Sequence, residues 1–255
     1  TYNWAFDLTG EEKFSAQIRG LWQLSGKYLR PSLELAPDTI PTTADVYPFG
    51  INTFLEQEVE LQKRERQIQI ISEAGFGWIR QEFPWADIEV HAKGDFDDRR
   101  SGTSVDAWKK YDHIVGLATQ YDLDIIARLS SAPEWARELS NVEGAFAPPA
   151  SYADFGDYIS ILVERYANEI SHYQIWNEPN IYPEWGEQHV SPEDYTEMLC
   201  VAYRAVKDVN SDAIVLAAAL APTVSLSGRD LNDFIYLERM YRAGAADCFD
   251  IMSVQ

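Results

Sequence analysis

The fold turns on the stretch HYQIWNEPNIYPEWG, His172 to Gly186. It opens as an apolar strand and stops on Asn177, Glu178 and Pro179, an amide, a carboxylate and a proline in a row. A strand that is apolar along most of its length is buried on both faces, the habit of parallel sheets covered by helices. Proline has no N–H and helps end a ladder. The spacing therefore predicts a buried strand over HYQIWNE, with the polar pair presented at its carboxyl end.

Working outward, the same rhythm runs from residue 49 to the last residue. FGIN (Phe49–Asn52) reads as a strand, and a helix follows over Glu56–Ala74, apolar at Val59, Ile68 and Ile71 and closed by Gly75. WIRQEF (Trp78–Phe83) is a second strand, ended by Pro84. SVDAWKKYDHIVGLATQY is a helix with Trp108, Tyr111, Ile114, Val115 and Ala118 on one face. LDIIARLS (Leu123–Ser130) is a third strand, and SYADFGDYISILVERYAN a helix with Ser151 as its N-cap. After HYQIWNE comes SPEDYTEMLCVAYRAVKDVN, where Ser191 can cap, Pro192 opens the helix, and Glu193 and Asp194 suit its dipole. AIVLAAA (Ala213–Ala219), the helix LNDFIYLERMYRAG and the strand FDIMSV (Phe249–Val254) complete the series.

Repeated βα units with apolar strands imply a parallel α/β sheet, either open and doubly wound or closed as a (β/α)8 TIM barrel. NTFLEQE follows the first strand in place of a glycine-rich phosphate loop, which speaks against a nucleotide-binding sheet. Polar residues gather at strand ends: Asn52, Arg80 and Glu82, Arg128 and Ser130, Asn177 and Glu178. Barrels build their sites there. The expectation is a barrel over 49–255 that is incomplete, with strands 1–6 present. Residues 1–48 lack the rhythm and read as an N-terminal irregular or β-hairpin segment turning at Gly20 and Gly26, with Pro37, Pro41 and Pro48 as a linker.

The balance is acidic, 41 Asp and Glu against 21 Lys and Arg. Nucleic acid and anionic lipid both call for a basic surface, so neither is an expected partner. No apolar run approaches the roughly 18 residues of a membrane span. The chain starts at Thr1 without an initiator Met or leader and reads as a processed or excised piece. Two cysteines, Cys200 and Cys248, give neither a disulfide framework nor a zinc spacing. His91, His113, His172 and His189 fall in unrelated segments, with no HExxH, so no metal is expected. Ser130 and Ser131 lack a G-x-S-x-G elbow.

A carboxylate at a barrel strand's end can serve as a general acid when its surroundings hold it protonated. YQIWNEPN followed by EWG resembles the acid/base strand of the clan A retaining glycoside hydrolases, most closely the β-xylosidase and α-iduronidase type and cellulase-like families. GFGWIRQEFPWADIE (Gly75–Glu89) is similar to their second strand, and YDHIVGLATQYDLDIIARLSSAPEWA (Tyr111–Ala136) to their second helix, third strand and P-x-W loop. The likeness spans about Phe49 to Gln255. It implies hydrolysis with retention: an acid protonates the leaving oxygen while a second carboxylate, about 5–5.5 Å away, attacks the anomeric carbon. By position, Glu178 matches the acid/base, Asn177 the ligand of the sugar 2-hydroxyl, and Arg80 the strand-two arginine that positions and ionises the nucleophile. Trp135 and Trp185 fall in loops with sugar-facing aromatics. Trp176 should point away from Asn177 into the packing between sheet and helices.

That family's nucleophile ends a seventh strand, so it is expected beyond this chain. Glu82 shares a face with Arg80 and reads as an Arg80 partner, a substrate ligand, a surface charge or a substitute nucleophile; a plain ion-pair partner is the lesser reading of Arg80. The expected function is a retaining glycosidase with no cofactor, extracellular by family habit and inactive as this fragment alone. The alternative is a non-catalytic carbohydrate-binding or assembly subunit. In either case the open sheet edges need cover from the rest of the protein or from another chain.

Overall fold

The computed structural model describes residues 4–29, 47–137 and 144–255. The chain divides into two compact units, Thr1–Val46 and Tyr47–Gln255.

The first unit corrects the sequence reading. It is helical: α1 (Trp4–Thr9) packs against α2 (Phe14–Leu29), and both Gly20 and Gly26 lie inside α2. Phe14, Ile18 and Trp22 recur at helical spacing, a signal the two glycines obscured. A Cβ on Gly20 would stand 2.8 Å from Thr9 Cγ2, so this glycine serves the close approach of two helices and makes no turn. Of the expected linker prolines, Pro37 and Pro41 lie outside the described residues, and Pro48 enters the second unit.

The second unit is α/β. Its elements are β1 (Gly50–Thr53), α3 (Leu61–Glu73), β2 (Trp78–Pro84), α4 (Trp85–Ile88), the short pair β3 (Asp97–Asp98) and β4 (Val105–Asp106), α5 (Trp108–Gln120), β5 (Asp124–Ser130), α6 (Tyr152–Arg165), β6 (His172–Ile175), α7 (Pro192–Val209), β7 (Ile214–Leu220), α8 (Asp233–Arg242) and β8 (Ile251–Val254). Six strands form one parallel sheet in the order β1-β2-β5-β6-β7-β8. The sheet follows chain order without closing, an incomplete TIM barrel with β1 and β8 as its edges.

The core follows from the apolar strands. On β2, Ile79, Gln81 and Phe83 are buried while Trp78, Arg80 and Glu82 alternate with them on the other face. β7 is buried along almost its whole length, as a central parallel strand should be. Tyr111, Ile114 and Ala118 of α5, Phe155, Tyr158 and Ile159 of α6, and Tyr195, Leu199 and Ala202 of α7 join one apolar cluster with the strands. Ser151 and Ser191 cap α6 and α7 by accepting from the N–H groups of Asp154 and Asp194. Gly75, at φ 82°, ends the turn after α3 in the left-handed conformation that glycine adopts without penalty.

Three local expectations change. α3 starts at Leu61, so Val59 precedes it and is 86% exposed. β6 ends at Ile175, ahead of Pro179, because Trp176 (φ 72°) and Glu178 (φ 41°) both leave the extended region. Cys200 of α7 and Cys248 form a disulfide, Cα atoms 4.7 Å apart, across 48 residues of sequence. Their pairing depends on α7 lying beside the segment that enters β8, a tertiary fact that spacing does not carry. No described helix is long and apolar enough to cross a membrane.

Candidate functional site

Parallel register sets the frame. Asn52 stands beside Arg80, Arg80 beside Ile126, and Arg128 beside Gln174. The inward side chains of β1, β2, β5 and β6 therefore meet near the carboxyl ends of the strands, where a barrel's chemistry sits.

Arg80 is the hub. Its Nε donates to Gln174 Oε1 at 2.6 Å, Nη2 to Asn177 Oδ1 at 2.9 Å, and Nη1 to Asn52 Oδ1 at 3.4 Å. All three acceptors are neutral amides, and no carboxylate among the described residues pairs with Arg80. Burial brings its pKa down to about 10, with the Arg128 cation adding to the effect; Glu82, Glu178 and Glu184 oppose it. At neutral pH Arg80 remains a cation. It is half-buried and its charge is unspent on any carboxylate here, the condition in which a guanidinium can receive an anionic group bidentately.

Glu82 is the opposite case. It pairs with Arg128 and accepts from Ser130 Oγ at 2.7 Å and Ser131 Oγ at 3.0 Å. The expected partnership with Arg80 is replaced by one with Arg128, because Glu82 lies directly beside Arg128 in the β2–β5 register.

The backbone after β6 is the unusual part. The Trp176 N–H turns to Leu129 O on β5 at 2.8 Å, and the Glu178 N–H turns to Ala219 O on β7 at 3.2 Å. Two successive kinks at non-glycine residues cost of order 1–3 kcal/mol each, and such conformations cluster at functional sites. The ladder gap they open is filled by a side chain. The Tyr195 hydroxyl donates to Ile175 O at 2.9 Å and accepts from Ala218 N at 2.7 Å. Asn180, fully buried, holds the far side of the turn. Its Oδ1 accepts from Ala221 N at 2.9 Å, and its Nδ2 donates to Ala221 O at 2.8 Å and Leu231 O at 3.1 Å. Asn177 and Glu178 thus project from a turn pinned at both ends.

Trp176 is buried, packs edge-on against Phe155 of α6 at 6.0 Å, and donates its indole N–H to Glu184 O at 2.8 Å. Trp135 and Trp185 are not gathered with Arg80 and Asn177. The Trp135 indole N–H donates to Glu89 O at 2.8 Å and its ring stands edge-on to Trp85. Trp185 is 1% exposed, between Trp176 and Tyr195. Ser130 and Ser131 spend their hydroxyl protons on Glu82. Among the described residues no three His, Cys, Asp or Glu stand together to hold a metal.

Gln174, Asn180 and Glu184 are site residues that sequence reasoning did not single out. Gln174 had a signal: a buried amide inside an apolar strand requires a partner, and that partner is Arg80. Glu184 lines a small cavity of about 50 Å³ with Glu82, Arg128, Ser130 and Ser131. Burial raises the pKa of its carboxyl; the Asn177 amide and Arg128 oppose the shift, and the negative charges of Glu178 and Glu82 add to it. A larger cavity of about 300 Å³ is lined by Asn52, Arg80, Gln174 and Ser253.

No family model matches the chain, and no curated protein matches it. Solved structures do. A family 39 glycoside hydrolase from the gut symbiont Bacteroides cellulosilyticus WH2 aligns with a TM-score of 0.57 and 19% identity over 80% of this chain and 37% of that one. A family 39 β-xylosidase from Caulobacter crescentus aligns at 0.57 and 19% over 81% and 45%, and a family 39 enzyme from Xanthomonas axonopodis pv. citri at 0.57 and 16% over 82% and 40%. At these identities the likeness is one of fold: the sheet and its helices resemble the barrel of clan A glycosidases. The chain spans less than half the length of each of these three proteins.

Proposed function

We propose that this clan A-like scaffold belongs to a retaining glycosidase in which Glu178 is the general acid/base. Asn177 binds the sugar 2-hydroxyl, and Arg80 receives the nucleophilic carboxylate. The observation that carries the reading is Arg80: a half-buried guanidinium, held by Asn52, Gln174 and Asn177 and paired with no described carboxylate, one hydrogen bond from the residue that precedes Glu178.

Retention needs a second, ionised carboxylate about 5–5.5 Å from the acid. Both carboxylate oxygens of Glu82 are already engaged, one by Arg128 and the other by the hydroxyls of Ser130 and Ser131. Burial pushes Glu184 toward its protonated form. Neither suits the part, so the nucleophile comes from a strand other than these six. Glu82 instead shapes the wall through Arg128. Trp135 and Trp185 support the loops around the sugar from within the aromatic packing. The Cys200–Cys248 disulfide favours an oxidising, extracellular setting for a carbohydrate substrate.

A second reading rests on the sheet edges. Ile51 on β1 and Val254 on β8 are exposed, the latter by 84%. An unpaired apolar edge invites another strand, so a carbohydrate-binding or assembly subunit covered by another chain is the alternative.

The full-length protein separates them. Glu178→Gln should nearly abolish hydrolysis of substrates with poor leaving groups and spare activated aryl glycosides, because only the former need protonation. Equal loss on both would remove the acid role. Sugar binding without turnover by the intact wild type would favour the second reading.

A further inference from the structure

A cavity of about 470 Å³ opens between the segment that follows β1 and the start of α5. Its wall includes two residues that the glycosidase reading leaves without a role, Arg64 in the first turn of α3 and His113 of α5. Arg64 is 3% exposed. Its Nε donates to Leu55 O at 3.0 Å, its Nη2 to Glu58 O, and its Nη1 to His113 Nδ1 at 3.1 Å. Two of these acceptors are backbone carbonyls of residues 54–60, the turn between β1 and α3. Gln81 Oε1 ties the start of that turn, accepting from Leu55 N at 3.1 Å and Thr53 Oγ1 at 2.8 Å. One residue earlier, Asn52 accepts from Arg80, so the turn leads directly out of the candidate site.

An arginine side chain only donates hydrogen bonds. His113 Nδ1 is therefore the acceptor, and the ring is neutral with its proton on Nε2. A protonated ring carries N–H on both nitrogens, which sets N–H against N–H and places two cations in contact beside a buried guanidinium. We propose that Arg64 and His113 form an acid-released latch: neutral His113 holds the Arg64 guanidinium against the carbonyls of residues 54–60, and protonation of His113 frees that turn. The inference stands apart from the glycosidase reading.

Burial and the Arg64 cation both lower the His113 pKa, and Glu65 on α3 opposes them. The other charged side chains around the cavity are Glu56 and Glu58 of the turn, Asp87 of α4, Lys109 and Lys110 of α5, and Asp98, Arg100 and Asp106 at the β3–β4 pair. Asp87 is spent on Lys110 and Arg100, and Asp98 on Arg100. No carboxylate among the described residues forms an ion pair with His113. Folded His113 thus holds its proton less firmly than the unfolded chain, where histidine titrates near about pH 6.5. The latch is complete above that value and is lost as the pH falls below it toward the folded value.

The test is hydrogen exchange by mass spectrometry on the full-length protein between pH 5 and pH 7.5, with rates divided by the intrinsic rate at each pH. The amides of Leu55, Gln57 and Glu58 are hydrogen-bonded to Gln81 or within the turn. In the wild type they should exchange roughly tenfold faster at pH 5 than at pH 7.5, while α6 and β6 keep their protection. His113→Asn puts a non-titrating acceptor oxygen near the place of Nδ1 and should stay protected at both pH values. Proton NMR of the wild-type His113 ring needs no variant, and the ring should titrate below about pH 6.5 in step with the loosening. Three results would each overturn the latch: a turn equally protected at both pH values, a His113→Asn protein that loosens in acid as the wild type does, or a ring that titrates at or above the ordinary histidine value.

Discussion

Replacing Tyr195 with Phe removes one oxygen atom and tests how the strained turn is held. The hydroxyl bridges Ile175 O and Ala218 N, two backbone groups that a regular β6–β7 ladder would have satisfied. Both residues are fully buried, so water does not replace the lost partner. Two net hydrogen bonds contribute about 1 kcal/mol each, and an orphaned buried N–H or C=O costs about 1–3 kcal/mol. The ring remains, so no cavity larger than one oxygen is left. The expected loss is about 2–4 kcal/mol in equilibrium urea unfolding, with an unchanged denaturant slope. Burial raises the pKa of the Tyr195 phenol. In the folded state it therefore stays protonated while the unfolded tyrosine ionises near pH 10. The stability it contributes is fully present below that pH and is lost as the pH rises above it. The difference between wild type and variant should be flat from pH 6 to pH 9 and shrink above pH 10. A loss under about 0.5 kcal/mol would mean that the turn does not depend on this bridge.

Other consequences are equally accessible. Asn180→Ala deletes three hydrogen bonds, two of them buried, and strands the N–H of Ala221; a loss of about 3–5 kcal/mol is expected from urea unfolding, and one under about 1 kcal/mol would refute the anchoring. Reducing the Cys200–Cys248 disulfide frees a loop of 48 residues. Chain entropy alone sets that effect at about 4 kcal/mol, read as a lower urea midpoint in reductant, whereas an unchanged midpoint would show that the bond is absent in solution. Glu184 is held with a raised pKa by burial, so the stability linked to its proton is present below the unfolded value and lost as the pH rises through the folded one. Glu184→Gln should therefore gain stability relative to wild type as the pH rises above the ordinary glutamate range, and a constant offset across the acid-to-neutral range would contradict the shift.

The alternation of apolar strands and amphipathic helices made the parallel sheet legible, since burial on both faces leaves a continuous apolar signature. Arg80 and Asn177 could be placed on inward faces because strand periodicity is local. What escaped is non-local or breaks periodicity. The kink at Trp176 ends β6 before Pro179, and nothing in the apolar run announces a left-handed tryptophan. Glu82 was read toward Arg80, its neighbour on the same strand, but register hands it to Arg128 on the next. The helix α2 was hidden by two glycines that tolerate a helix at about 1 kcal/mol each. Trp185 has the composition of a sugar platform and the burial of a core residue.

The central claim is the role of Glu178, and the most direct measurement is azide rescue of Glu178→Ala in the full-length protein. With an activated aryl glycoside, a variant lacking the acid/base still forms the glycosyl-enzyme, but water attacks it slowly without a general base. Azide needs no base. The account predicts restored turnover and a glycosyl azide of retained configuration, identified by proton NMR of the anomeric centre. An azide product of inverted configuration would make Glu178 the nucleophile, and a variant as active as wild type without azide would remove it from the chemistry.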